Sequence, residues 1–393
     1  MKQFSNDEQK KLAIIGASYL QEPLVRKAKE MGLYTICFAW AEGAVCSEVC
    51  DKFYDISIVE KEQILEICQK EKINGIATIA SDVAAPTVAY IAERMGLVGN
   101  SYEVAVRANN KYLMREALNK GGCPSLVYHV VKDMKSVDEL KYIKFRKDGG
   151  PMDDWIVKPT DRSGSLCINH VHNLEELSKA IQSAIEVSFK KEAIVEEFIK
   201  GREFSVEGLS YKGRHEIIQI TDKVTEEEHF IEIAHHQPSN LTSNIQEEIK
   251  KVVCQSLRTL GITNGASHTE LKVTSDGKIK IIEIGARMGG GFIGSDLVQL
   301  STGFDYVHAV IEIALGVFDW SNFENIKKTP FNKCSGVYFL IPQTKFILPY
   351  LLHPEKYPFV VKAALTNPDI PDTTSEGGRS GYFIYQSDKR IEL

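Results

Sequence analysis

The chain has 393 residues, of which 43% are hydrophobic and 25% are charged, and its formal net charge is −6. This composition is typical of a soluble globular protein, and the length allows two or three domains. The acidic balance excludes the basic footprint of a protein that binds nucleic acid or an anionic membrane. No apolar run reaches the roughly 18 residues that span a bilayer, so we predict neither nucleic-acid nor membrane partners.

Cysteine usage and the first residues indicate the compartment. The eight cysteines are dispersed and form no C-x-x-C pair, which argues against a disulfide framework or a cysteine zinc site. The first 11 residues are polar and lack the apolar core of a signal peptide. We therefore predict a cytoplasmic protein with reduced thiols.

Residues 1–107 alternate between short apolar strands and amphipathic helices, a pattern that predicts an open parallel α/β domain. The predicted strands are 11–15, 34–38, 53–57 and 75–80, and the predicted helices are 22–31, 60–71 and 84–95. Only Gly16 stands in the first turn, so the G-x-G-x-x-G dinucleotide fingerprint is absent. Asp82 follows the carboxyl end of a strand, where such sheets bind ligands, although a helix N-cap is the more common role for Asp there.

Residues 108–200 contain short β segments around one amphipathic helix, 174–187. Lys111 stands at the start of another helix and, taken alone, is most simply a surface lysine. A strand that ends at Lys158 leads into the polar loop 160–165. The donors that this loop offers include those of Ser163, Gly164 and Ser165. Such hydroxyl and N–H groups beside a lysine can bind phosphate oxygens, but a plain hairpin loop has the same composition.

Residues 193–206 predict a strand, a turn at Lys200-Gly201 and a second strand with Glu203 near its start. The end of the first strand carries Glu196, Glu197, Phe198 and Ile199. An apolar strand edge can stack a purine, and a nearby carboxylate can accept hydrogen bonds from ribose hydroxyls. An ordinary hairpin accounts for these residues equally well.

The stretch 268–291, HTELKVTSDGKIKIIEIGARMGGG, predicts two strands joined by a tight Asp-Gly turn. Such a hairpin brings Glu270 on one strand close to Glu283 on the other. Two close carboxylates repel each other unless a cation lies between them, and hard cations such as Mg²⁺ prefer oxygen ligands. Arg287 and three glycines follow, so the pattern suggests a metal–phosphate site. A surface hairpin with solvated charges is the alternative.

Lys111 and three later stretches resemble, in this order, the ATP-grasp superfamily of carboxylate–amine ligases. The stretches are VKPTDRSGS (157–165), VEEFIKGREFSVEG (195–208) and HTE…IIEIGARMGG (268–290). The residue patterns of these stretches are most similar to those of L-amino acid ligases and of carbamoyl-phosphate-synthase-like and glycinamide-ribonucleotide-synthetase-like members. The resemblance covers about residues 1–315 and implies an ATP-grasp fold, α/β with an α+β central region. We expect a lid subdomain, a large subdomain and a small C-terminal β-rich cap over 108–200, 201–325 and 326–393.

The resemblance also implies roles in nucleotide binding. Lys111 and Lys158 correspond to the two lysines that hold the ATP phosphates, and loop 160–165 to the flexible cover over them. Residues 196–199 correspond to the segment that binds adenine, and Glu203 to the ribose contact.

The same resemblance implies a metal site and a catalytic arginine. Glu270 and Glu283 correspond to Mg²⁺ ligands, with Mn²⁺ as an alternative ion. Arg287 corresponds to the arginine that stabilises an acyl phosphate or tetrahedral intermediate, and Lys158 shares the catalytic role. Many members have Asn two residues after the second of these acids, and here that position is Gly285. The number of metal ions therefore stays open.

The implied reaction joins a small acid to an amine through an acyl phosphate and releases ADP and phosphate. The candidate substrate contacts are His268, Arg287, Gly289, Gly290, His235, His236 and Asp82. The two adjacent histidines are predicted on a loop, where they either face substrate or are ordinary surface residues. A bicarbonate-activating enzyme and a non-catalytic ATP-binding protein are the alternatives, and a homodimer is left open.

Overall fold

The computed structural model describes residues 9–133, 154–164, 166–226, 231–329, 331–373 and 375–393. Within these ranges the chain forms three β-sheets. None of the helices in the described ranges is both long and apolar enough to cross a membrane.

The first sheet is parallel and has the order β3-β2-β1-β4. Its strands are β1 (Lys11–Ile15), β2 (Tyr34–Ala39), β3 (Lys52–Asp55) and β4 (Gly75–Ala77). The helices that follow its strands are α1 (Glu22–Glu30), α2 (Lys61–Glu71) and α3 (Ala85–Met95). Successive strand residues point to opposite faces, so α1 packs on Leu12 and Ile14, whereas α2 and α3 pack on Ala13 and Ile15. The predicted open parallel α/β architecture is confirmed.

The second sheet, called the small sheet below, is antiparallel in the order β5-β8-β6-β7. Its strands are β5 (Tyr128–Val131), β6 (Trp155–Pro159), β7 (Asn169–Val171) and β8 (Ala193–Glu197). Helix α6 (Leu174–Val187), which follows α4 (Tyr102–Asn109) and α5 (Lys111–Lys120), covers one face of this sheet. The strand predicted at 166–168 begins three residues later because Cys167 has a φ of +58°, which extended backbone does not allow.

The third sheet, called the large sheet, is antiparallel in the order β13-β12-β9-β10-β11-β14-β16-β15. Its strands are β9 (Arg202–Tyr211), β10 (Arg214–Thr225), β11 (Glu232–Gln237), β12 (Gly265–Val273), β13 (Ile279–Gly285), β14 (Cys334–Leu340), β15 (Val360–Leu365) and β16 (Gly381–Ser387). The remaining helices are α7 (Ser243–Leu260), α8 (Val298–Thr302), α9 (Tyr306–Ala314), α10 (Trp320–Lys327) and α11 (Leu348–Leu352). The predicted Asp-Gly hairpin is confirmed as β12 and β13, with Gly277 at a φ of +79° in the turn.

Helix packing places the three sheets around a common centre. Helices α5 and α7 share an apolar core with β9, β12 and β13. Helix α9 belongs to a second core that contains Leu12 and Ile14 of the first sheet and Leu209 and Ala266 of the large sheet. The carboxyl end of β4 therefore lies beside the end of β13, where the predicted metal hairpin turns away from the sheet.

Two parts of the topology differ from the simplest sequence interpretation. Strands β8 and β9 do not pair as a hairpin, because β8 belongs to the small sheet and β9 to the large sheet. The C-terminal strands, expected as a separate cap, extend the large sheet through the pairing of β11 with β14. Gly336 permits this close pairing, since a Cβ atom there would lie 2.6 Å from the carbonyl oxygen of His235.

Candidate active site

A cavity of about 150 Å³ lies between the small and large sheets. The structure brings together around it most of the residues predicted to bind nucleotide or metal. Those that line it are Lys111, Lys158, Ser163, Glu196, Glu197, Phe198, Ile199, Glu203, Glu270 and Glu283. Gly164 follows Ser163 without lining the cavity, and Ser165 lies outside the described residues.

Lys111 is buried at the start of α5, so its interpretation as a surface lysine is wrong. Its Nζ donates to Glu283 Oε1 at 3.0 Å and to the carbonyl oxygen of Arg162 at 2.7 Å. Burial lowers the pKa of Lys111, but the charge and hydrogen bond of Glu283, together with the charges of Asp82 and Glu196, outweigh it and the net shift is upward. The ammonium group therefore stays charged and links the polar loop after β6 to the β13 carboxylate.

Lys158 is held by a buried carboxylate that also binds an arginine. Glu196 accepts from Lys158 Nζ at 2.8 Å and from Arg115 Nε at 2.7 Å, and Arg115 Nη2 donates to the Ile282 carbonyl at 2.6 Å. Burial raises the pKa of Glu196, but the two cations outweigh it and lower the pKa to about 2. Sequence reasoning missed Arg115, although its position four residues after Lys111 places both on one helix face.

A third buried lysine, Lys223 on β10, was also missed. Its Nζ lies 2.8 Å from Glu203 Oε1, 2.6 Å from Glu232 Oε1 and 2.9 Å from Glu270 Oε1. Burial lowers the pKa of Lys223, but the three carboxylates outweigh it and hold the pKa well above its ordinary value. No local pattern marks this lysine, because its three partners come from β9, β11 and β12.

Glu270 and Glu283 are direct partners across the β12–β13 pair, as predicted. Residues directly opposite in an antiparallel pair have Cβ atoms about 5 Å apart, so their like charges need cations nearby. Lys223 supplies a cation to Glu270, and Lys111 supplies one to Glu283. Two facing carboxylates at a cavity wall are a donor set that could hold a hard divalent cation.

Arg287, just beyond β13, forms a two-point ion pair with Asp82 of the first sheet. Its Nε donates to Asp82 Oδ1 at 2.8 Å, and its Nη2 contacts Asp82 Oδ2. Burial raises the pKa of Asp82, but Arg287 outweighs it and the carboxyl stays ionised. Asp82 is not an N-cap, since α3 begins at Ala85 after Ala84. Gly285 leaves the space for this pair, because a Cβ atom there would lie 2.6 Å from Asp82 Oδ1.

His268 links the predicted metal hairpin to a buried carboxylate, Glu207, that sequence reasoning did not identify. His268 Nδ1 lies 2.5 Å from Glu207 Oε1, and its Nε2 lies 3.5 Å from Glu270 Oε1. Burial lowers the pKa of His268, but Glu207 outweighs it and raises the pKa to about 9. Glu207 Oε2 also accepts from the backbone N–H of Gly289 at 3.0 Å, which fixes the start of the glycine run.

The remaining predicted substrate residues occupy different surroundings. His235 and His236 lie in β11 and are buried, so the prediction that they stand on a loop is wrong. β11 lies inside the large sheet, between β10 and β14, and aromatic side chains of β14 and β16 pack on both rings. His235 Nε2 lies 3.2 Å from Glu232 Oε2, whereas His236 Nδ1 lies 2.8 Å from the Tyr385 hydroxyl, away from the cavity. A Cβ atom on Gly290 would meet Ala80 at 3.5 Å, beside the first sheet.

Residues 153–296, which span β6 to the turn beyond β13, match the family model of the ATP-grasp domain. The chain contains an ATP-grasp domain. The walls of the cavity come largely from this domain, while Lys111 reaches it from the preceding helix α5. The predicted ATP-grasp resemblance and fold are confirmed.

The chain is similar to two curated proteins over part of their length. It is 28% identical to the alanine–anticapsin ligase of Bacillus subtilis over 58% of this chain and 51% of that protein. It is also 28% identical to dapdiamide A synthase of Enterobacter agglomerans over 49% of this chain and 45% of that protein. The chain thus spans about half the length of the curated relatives it matches.

The fold extends beyond the matched domain. The crystal structure of an L-amino acid ligase from Bacillus licheniformis superposes with a TM-score of 0.77 and 21% identity. The superposition covers 98% of this chain and 95% of that one. The first sheet, the ATP-grasp domain and the C-terminal strands therefore all belong to a shared architecture.

Proposed function

We propose that this ATP-grasp protein joins a small carboxylate to an amine through an acyl phosphate, releasing ADP and phosphate. The observation that carries the proposal is the cavity between the two sheets, where the buried ammonium groups of Lys111, Lys158 and Lys223 meet the facing carboxylates of Glu270 and Glu283. Buried cations aimed into a cavity suit a polyphosphate, and the similarity to the alanine–anticapsin ligase supports the type of reaction.

In this proposal the nucleotide enters the cavity with its phosphates toward Lys111 and Lys158. The loop from 160 to 165 covers the phosphates, and Glu203 receives the ribose. The adenine occupies the wall formed by residues 196–199, where the Phe198 ring already has Lys272 Nζ 5.1 Å from its centroid. Because each lysine is now paired with a glutamate, phosphate binding would exchange a protein carboxylate for a ligand oxyanion.

Mg²⁺, or Mn²⁺ in its place, fits the donor set of Glu270 and Glu283. Both are carboxylates, they face each other, and they depend on lysines for charge compensation. The ion supplies charge neutralisation to the phosphates when bound. Release of Lys111 from Glu283 would free that lysine for phosphate.

The chain's own residues act mainly through charge. The substrate carboxylate attacks the γ-phosphorus, ADP leaves, and the amine then attacks the acyl carbon and displaces phosphate. Arg287, which Asp82 orients, stabilises the negative charge that develops on the acyl and phosphoryl oxygens. Lys158, which Glu196 orients, meets the transferring phosphoryl group.

A phosphate-release screen of amino-acid pairs with Mg-ATP tests this proposal. We expect release that needs both an acid and an amine, and its loss in Glu283→Gln while the protein remains folded. Glu247→Gln is the matched control, because Glu247 lies on the exposed face of α7 and pairs with Lys250 on the same helix. Phosphate release that needs only bicarbonate would instead favour the alternative of a bicarbonate-activating enzyme. Near-normal turnover in Glu283→Gln would contradict the assignment of Glu283 as a metal ligand.

A further inference from the structure

A second group of potential metal ligands lies at the edge of the small sheet, outside the cavity lining. Asp154, His170 and His172 each offer one ligand atom, and these atoms all lie within 4.8 Å of one another. Among the described residues, these three side chains form the one group of three or more potential metal ligands that lie close enough to share an ion. The proposed ligase reaction does not use it.

Strand pairing brings the three side chains to one face. Trp155 pairs with Val171 at the end of β6 and β7, and the same register continued by one residue places Asp154 opposite His172. His170 and His172 are two residues apart, and alternate residues of a strand point to the same side. The geometry of the two paired strands therefore brings all three ligand side chains together, and the site does not depend on the conformation of flexible loops.

Two of the ligands are also held by the segment after β8. The His170 ring stacks on Phe198 with centroids 4.0 Å apart, and the Phe198 N–H donates to the Asp154 carbonyl at 3.3 Å. His172 is more exposed and contacts Asp154 Oδ1 through Nδ1 at 2.6 Å. Lys200 Nζ lies 3.8 Å from the other carboxylate oxygen, on a side chain that is 83% exposed and free to move away.

The spacing suits a tetrahedral ion. Bonds of about 2.0–2.1 Å place the ligand atoms of such a site about 3.3–3.4 Å apart. His170 Nε2 already lies 3.3 Å from Asp154 Oδ1. The contact between His172 and Asp154 would have to open by less than about 1 Å, which the exposed imidazole permits.

We propose that Asp154, His170 and His172 bind a divalent transition-metal ion of the zinc class at this edge of the small sheet. Two imidazole nitrogens and one carboxylate oxygen favour Zn²⁺ and its neighbours over Mg²⁺ or Ca²⁺, which prefer all-oxygen sites. A tetrahedral ion keeps a fourth position for water. Because His170 packs on Phe198, whose ring lines the cavity, the bound ion would also restrain the segment that joins the two sheets.

Zinc titration of the 393-residue protein in excess Mg²⁺ tests the proposal. We expect one Zn²⁺ equivalent in the wild-type protein and at least roughly tenfold weaker binding in His172→Ala and in Asp154→Asn. His353→Ala is the matched control, since His353 is a similarly exposed histidine that lies 3.6 Å from a single carboxylate, Glu355. Equal zinc binding by all four proteins would overturn the proposal.

Two further measurements separate this site from other sources of zinc binding. The Co²⁺-loaded protein should show the visible absorption bands of tetrahedral Co²⁺ without thiolate charge-transfer bands, and His172→Ala should lose the tetrahedral bands. Thiolate charge-transfer bands that persist in His172→Ala would instead show that cysteines bind the ion, and would contradict the site. Glu283→Gln should keep the zinc equivalent, because it removes only the proposed Mg²⁺ ligand. Circular dichroism of the metal-free variants checks that each remains folded.

Discussion

Asp82 at the carboxyl end of the first sheet and Arg287 beyond β13 form a two-point ion pair across 205 residues of sequence. The pair is almost fully buried, with side-chain exposures of 10% and 13%. Gly285 gives it room, since any side chain at that position would collide with Asp82 Oδ1. The first domain thus contributes directly to the orientation of the proposed catalytic arginine.

Replacing Asp82 tests this positioning role. Asp82→Asn keeps the shape but removes the charge that fixes the guanidinium, so we expect the saturated rate to fall by roughly 10- to 100-fold, as for other supporting partners. The KM for ATP should stay nearly constant, because Asp82 does not line the nucleotide cavity. Asp388→Asn, which breaks an exposed ion pair with Lys333, is the control. A change confined to KM would exclude the positioning role.

Gly285→Ala should disturb the same pair from the opposite side. The new methyl group would lie 2.6 Å from Asp82 Oδ1 and 3.3 Å from Arg287 Nε, so the ion pair must shift. We expect a lower saturated rate together with a loss of thermal stability. Gly377→Ala provides the comparison, because its Cβ atom would have its nearest neighbour at 4.0 Å. Wild-type behaviour of Gly285→Ala would contradict the close packing.

Glu203 and Arg287 should affect different kinetic constants. Interactions shared by ground and transition states change KM, whereas those made only in the transition state change kcat. Glu203→Ala should chiefly raise the KM for ATP. Arg287→Ala should lower kcat by roughly 100- to 1000-fold, as for loss of one oxyanion donor. An Arg287→Ala enzyme with a normal saturated rate would make Arg287 a nucleotide ligand instead.

Arg115 should contribute strongly to stability, although it does not line the cavity. Its guanidinium is fully buried against Glu196, and removing one partner of a buried pair typically costs about 3–5 kcal/mol. We expect Arg115→Met to lower the free energy of unfolding in urea by that order. Arg258→Met, on the exposed side of α7, should change it little. A loss below about 1 kcal/mol in Arg115→Met would show that Lys158 alone satisfies Glu196.

The pair of His268 and Glu207 predicts a pH dependence above neutrality. The pKa of His268 is raised from 6.5 to about 9. Its contribution to stability is therefore complete below pH 6.5 and is lost as the pH rises through about 9. NMR titration of the ring should place its midpoint there, and Glu207→Gln should move it down. The ring of His236, whose pKa is lowered to about 3 chiefly by burial, should not titrate over this range.

Local patterns were sufficient to predict most of the elements and the pairing of Glu270 with Glu283. Apolar periodicity marked α6 at its observed bounds, and the Asp-Gly turn predicted the hairpin that brings the two acids close together, whereas a register shift between Glu270 and Leu271 places them directly opposite each other. These features depend on residues close in sequence, so backbone preferences and side-chain alternation determine them.

Only the tertiary structure decided which charges meet. Lys223 forms ion pairs with acidic residues of β9, β11 and β12, and Arg115 forms one with Glu196. Asp82, which follows the first sheet, pairs with Arg287, which follows a strand of the large sheet. Nor could the chain order show that β11 lies between β10 and β14, where aromatic side chains of β14 and β16 pack on His236. Burial and charge pairing depend on strand order and helix packing, which bring together segments that are far apart in sequence. The spacing of apolar residues, in contrast, indicates only which face of each segment is directed toward the core.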